Sequence, residues 1–183
     1  MRPSFIMALA LVLAVFVGGL GFLVARLAFA PAPIVDADSA WREAAWPFLR
    51  DAWPAGRAFR CDPAHCGEEV MVYARVKVGM CDCVAGVADD EDLARVSDAG
   101  LLTASMTPEG PGASTDIAGL RTRLRHYRME GGGALAVLAG GRNCNAFVAM
   151  ATARHGLTPE AMEAVRTLIS TPGMSRWVTK QGG

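Results

Sequence analysis

The chain has 183 residues, of which 52% are hydrophobic, and its 18 basic and 18 acidic side chains cancel. That length holds one domain comfortably, and zero net charge argues against a nucleic-acid or general polyanion partner. No P-loop, GxGxxG, HExxH, GxSxG or CxxC occurs, so the enzyme classes that carry those motifs find no support.

From Phe5 to Ala25 no side chain is charged, and Arg2 and Arg26 flank the run. About twenty apolar residues rising ~1.5 Å each match a hydrocarbon core of about 30 Å. The run is longer than the roughly 7–15 residues of a signal-peptide core. Ala28-Phe29-Ala30 and Ala30-Pro31-Ala32 resemble cleavage sites, but Pro31 and Pro33 would then stand first in the mature chain, where the ring removes the backbone N–H. Residues 1–30 are therefore predicted to be a retained anchor, with residues 5–25 in the bilayer. Arg2 and the α-amine favour a cytoplasmic N-terminus, whereas Arg26 opposes it. Past the anchor, 16 basic residues face 18 acidic ones, a balance that does not oppose export. Only Lys77 and Lys180 are lysines, and alanine and glycine abound, as in a GC-rich bacterial genome. The expected location is the inner membrane, with the C-terminal domain in the periplasm.

Residues 31–56 read as a stiff linker (Ala30 to Ile34) and a short Trp-rich helix. Asp38 or Ser39 would cap that helix, Trp41, Ala45 and Trp46 would ride on it, and Pro47 would stop it. Trp53-Pro54-Ala55-Gly56 reads as a turn. With Trp53, these tryptophans fit either an interfacial belt or ordinary packing under the domain.

Residues 57–183 are predicted to form an α+β domain: a mostly antiparallel sheet of about four or five strands, packed by C-terminal helices. Val70 to Met80 alternates strictly, putting Val72, Val76 and Val78 in the core and leaving Arg75 and Lys77 on the solvated face. Acidic residues from Asp89 open a short helix through Val96 that ends near Gly100, in keeping with the helix dipole. Thr107 to Thr115 reads as an exposed loop. Arg121, Arg123 and Arg125 share one face of a strand beginning at Leu120, either a plain solvated face or a dock for anionic lipid or an acidic partner. Ala134–Leu138 and Cys144–Met150 flank Gly140-Gly141-Arg142-Asn143 as a central hairpin, apolar on both faces. Thr158 caps a helix whose buried stripe is Met162, Val165, Leu168 and Ile169. Thr171-Pro172 opens a terminal helix with Met174, Trp177 and Val178.

Five cysteines stand at 61, 66, 81, 83 and 144. In an exported domain they read first as a disulfide framework. Cys61 and Cys66 bracket a compact loop turned by Pro63. Cys81 and Cys83 stand too close in sequence to bridge without strain. One of them, Cys83 in preference to Cys81, is expected to pair with Cys144. The alternative is a Cu(I) or thiol-redox site built from Met80, Cys81 and Cys83 with His65 nearby, since thioether, thiolate and imidazole suit that ion. No base–nucleophile or paired-carboxylate constellation can be placed, and His126 and His155 show no partner pattern. The leading expectation is a non-enzymatic envelope protein that needs no cofactor and binds or helps assemble another membrane or envelope protein. A copper or thiol-active accessory factor is the runner-up.

Overall fold

The computed structural model describes residues 34–182 apart from positions 37, 50, 83 and 118. The uncharged run at 5–25 and Cys83 therefore lie outside the described residues. Among the described residues, no helix is long and apolar enough to cross a membrane.

From Ile34 onward the chain forms one compact unit. It is built on an antiparallel sheet of eight strands: β1 (Trp41–Ala44), β2 (Arg57–Cys61), β3 (Val70–Lys77), β4 (Met106–Pro108), β5 (Ala113–Ile117), β6 (Leu120–Met129), β7 (Ala134–Arg142) and β8 (Asn145–Ala153). Their order is β1-β2-β3-β8-β7-β6, with β4 and β5 following one another along the outer edge of β6. A single helical turn, α1 (Pro63–Cys66), joins β2 to β3. The helix α2 (Asp90–Val96) and a 3-10 turn (Ala99–Leu101) lie between β3 and β4, and α3 (Pro159–Ile169) and α4 (Pro172–Gly182) close the chain.

Alternation along the strands sorts the core into two layers. Val70, Val72, Ala74 and Val76 of β3, with Ala149, Ala151 and Phe147 of β8, pack under α3 and α4. Leu135 and Val137 of β7, with Val148 and Met150 of β8, pack under Leu93 and Val96 of α2. The hairpin β7–β8 is thus covered on both sides, which is why its strands are apolar on both faces. The Thr158 hydroxyl accepts the Ala161 N–H, capping α3 over its expected stripe of Met162, Val165, Leu168 and Ile169.

Several sequence expectations need correction. The sheet has eight strands, not four or five. Trp41 lies on a strand, not a helix: β1 pairs with β2, and the Trp41 indole N–H reaches the Ala164 carbonyl of α3 at 3.3 Å. Tertiary pairing overrides a weak, short helical signal here. Trp46 is half-buried, stacked edge-on against Phe48 and Tyr73. Packing is therefore the reading that holds for Trp41 and Trp46. The Thr107–Thr115 segment is not wholly a loop, because its ends belong to β4 and β5; the Gly/Pro-rich stretch between them only interrupts the edge.

The hairpin turn also falls later than expected. Gly140 and Gly141 pair within β7, and the turn is Asn143-Cys144, both at positive φ. Glycine is needed in the strand for space: a Cβ on Gly141 would sit 2.7 Å from the Cys81 sulfur. Finally, β3 ends at Lys77. Val78 is 49% exposed and is not a core residue.

Candidate functional site

The polar side chains of β3 are the largest surprise. Arg75 and Lys77, expected in solvent, are only 4% and 3% exposed. The period-2 pattern is correct, but α2 and the 3-10 turn cover the face assigned to water. Asp98, between those two elements, receives the Arg75 guanidinium through Nε and through Nη2 at 2.6 Å, and Lys77 Nζ at 2.7 Å. The second edge of the guanidinium reaches Asp51 at 2.8 and 3.0 Å. Lys77 Nζ also donates to the Val96 carbonyl at 2.8 Å, at the C-terminal end of α2, where partial negative charge favours a cation. Burial alone would lower the Arg75 pKa, but Asp98 and Asp51 raise it above its ordinary value. The Trp53 N–H and then Arg75 hold the Asp51 carboxyl below its ordinary value.

The other end of α2 is held in the same way. Asp90 takes Arg123 Nε at 2.8 Å, Arg125 Nη1 at 3.4 Å and the Gly112 N–H at 3.0 Å. The Gly112 N–H and the Arg123 guanidinium lower its pKa. Arg125 also donates to the Gly110 carbonyl and lies over the Tyr127 ring. Two arginines of the expected anion-docking face are thus engaged with α2 and the edge strand, and of the three only Arg121 is exposed. The two clamps stand on β3 and β6, about 14 Å apart across the sheet. They fix α2 over the central hairpin. The first cluster balances two cations against two carboxylates, the second sets two arginines on one carboxylate, and both act as holding devices.

The cysteines divide between the two ends of β3. Cys61 and Cys66 form a disulfide that closes α1. His65 is exposed on that turn, while Met80 and Cys81 follow the opposite end of the strand, roughly 23 Å away along its length. His65 is therefore remote from Met80 and Cys81, the described members of the Cu(I) set expected from sequence, and Cys83 lies outside the described residues. Asp82 accepts the Val84 and Ala85 N–H groups at 2.8 and 2.6 Å, so its carboxylate closes the turn that follows. Among the described residues, no group of three or more His, Cys, Asp and Glu is placed to hold a metal ion. The buried Cys81 donates its N–H to the Cys144 carbonyl at 3.5 Å, which sets Cys81 against the hairpin tip. Cys144 is disulfide-bonded; Cys83, its expected partner, lies outside the described residues.

At the Cys61 end, Glu68 accepts the N–H groups of His155 and Gly156, both at 3.1 Å. Burial would raise its pKa, but those two donors lower it. Glu68 thereby fastens the loop between β8 and α3.

On the opposite sheet face lies a feature without a local sequence signal. A cleft of about 360 Å³ opens between α4 and the sheet, lined by Val76, Leu120, Phe147, Ile169, Met174 and Val178. Three of the five polar side chains that line it, Thr122, Thr179 and Asn145, are engaged within the protein, and Asn143 and Ser175 are the other two. The Thr122 hydroxyl donates to the Thr115 carbonyl, Thr179 to Ser175, and Asn145 bridges the Gly79 N–H and the Gly182 carbonyl. Its volume falls at the lower end of the range for small-molecule sites, about 300–1,000 Å³. The cleft is missed in sequence because its walls come from seven separate elements and the turn between β7 and β8. No protein-family model matches the chain, and no curated protein matches it in sequence.

Proposed function

We propose that the chain is a single-pass envelope protein, its N-terminus cytoplasmic and its disulfide-stabilised domain in the periplasm, which binds or helps assemble another membrane or envelope protein. The observation that carries the reading is the Cys61–Cys66 bridge in a domain that follows an uncharged run at 5–25, since disulfides persist in oxidising compartments. The largely apolar cleft under α4 offers a described surface suited to an apolar ligand, which supports a binding role. We further propose that Cys83 is the partner of Cys144, supported by the contact between the Cys81 and Cys144 backbones.

Paired C-terminal fusions test the topology. Alkaline phosphatase should be active and a cytoplasm-dependent fluorescent protein dark. The reverse pattern would refute the proposed orientation.

A further inference from the structure

We infer that the cleft between α4 and the sheet binds one acyl chain of a membrane lipid. The inference rests on the proposed reading of residues 5–25 as an anchor and names the chemistry of that domain's binding site.

Four observations carry it. Both walls carry apolar side chains: Val76, Leu120 and Phe147 from the sheet, Ile169, Met174 and Val178 from the helices. Of the five polar side chains that also line it, Thr122, Thr179 and Asn145 already hold partners within the protein, and Asn143 and Ser175 are the other two. A ligand that brought several hydrogen-bonding groups into the interior would find three of these five occupied, so an alkyl chain fits better than a headgroup or a peptide backbone. The volume of about 360 Å³ exceeds the ~150 Å³ cavity that holds a benzene ring, leaving room for a chain longer than a single ring.

The fourth observation concerns α4 itself. A Cβ on Gly173, in the first turn of α4, would collide with the Ile34 backbone, so the chain enters the domain against the helix that walls the cleft. Only residues 26–33 separate Ile34 from the uncharged run, and eight residues span at most ~30 Å. Covalent reach thus limits how far the cleft can stray from a bilayer holding residues 5–25, and the apolar ligand most abundant within that reach is a lipid tail.

The test uses the full chain in nanodiscs containing a trace of phospholipid with a diazirine at the end of one acyl chain. After illumination, labelled peptides are mapped by mass spectrometry. Labelling is expected on peptides carrying Phe147 and Met174–Val178, and on the 5–25 peptide as internal reference. Val178→Trp, or Leu120→Trp from the opposite wall, should remove the cleft label and leave the reference label unchanged, with the fold checked by thermal melts. A labelled 5–25 peptide with an unlabelled cleft overturns the inference and leaves the anchor standing. So does labelling of the exposed Leu49 or Val84 as strong as that of the cleft, or a cleft label that persists in both folded variants. Labelling of the cleft by a diazirine fatty acid in solution but not by the phospholipid rejects a membrane lipid as occupant. If neither region is labelled by phospholipid, the membrane reading fails and the inference with it.

Discussion

Replacing Arg75 by methionine keeps much of the side-chain volume and removes the charge. In the wild type, Asp98 is 7% exposed and is shared by Arg75 and Lys77, while Asp51 is exposed. Without the guanidinium, Asp98 keeps only the Lys77 contact at 2.7 Å, so a buried carboxylate loses two of its three donor contacts. Removing one partner of a buried ion pair costs about 3–5 kcal/mol. For a domain of this size each kcal/mol lowers Tm by about 2–4 °C, so Arg75→Met should lower it by roughly 6–20 °C. Asp51→Asn, by contrast, leaves a group that water can reach, and its loss should be clearly smaller. The double variant Arg75→Met/Asp98→Leu should be less unstable than the sum of the two single changes, because no carboxylate remains buried. Denaturant and thermal melts followed by tryptophan fluorescence give all four values. A loss below ~1 kcal/mol for Arg75→Met, typical of a surface change, would show that the cluster is not buried as described.

Val76→Ala should destabilise by about 1.5–3 kcal/mol through lost burial and a cavity, whereas Val78→Ala, half-exposed beyond the end of β3, should cost under ~0.5 kcal/mol in the same melts. Cys66→Ser should lower stability by about 2 kcal/mol in the loop-entropy model, and Cys144→Ser by about 4 if its partner is Cys83, because that loop is far longer; equal losses would reject that pairing. Because the folded-state pKa of the Asp90 and Glu68 carboxyls is depressed, their contribution should be complete above the ordinary carboxylate range and lost as pH falls through and below it. Asp90→Asn and Glu68→Gln should therefore flatten the acid limb of the pH–stability curve and leave its neutral part parallel to wild type.

What could be read from sequence was what local chemistry decides. Thr158-Pro159 announces α3 through its cap and the fixed φ of proline, and the run from Val70 shows its period without reference to any neighbour. The central place of β7 and β8 was legible because both faces are apolar. Most of the errors arise where a distant segment intervenes. Arg75 and Lys77 alternate as surface residues do, and nothing near them in sequence announces that Asp98, some twenty residues on, will fold over them. Trp41 sits in a stretch too short for its period to be told, and β2 decides its state. Gly140 and Gly141 look like a turn until Cys81 and Gly86 pack against that strand. In the candidate site, the short Cys61–Cys66 loop was legible from spacing alone. The cleft was not, because Leu120, Phe147 and Val178 meet only after the sheet has been assembled.

The central claim is that a domain held by disulfides stands outside the cytoplasm on an uncleaved anchor. The most direct measurement is the intact mass of the chain recovered from carbonate-washed membranes, alkylated without reduction and then mapped by peptide. The expected result is the full-length chain in the membrane pellet with Cys61 and Cys66 linked and unalkylated. A soluble chain beginning near Pro31 or Ala32, or Cys61 and Cys66 both alkylated as thiols, would contradict it.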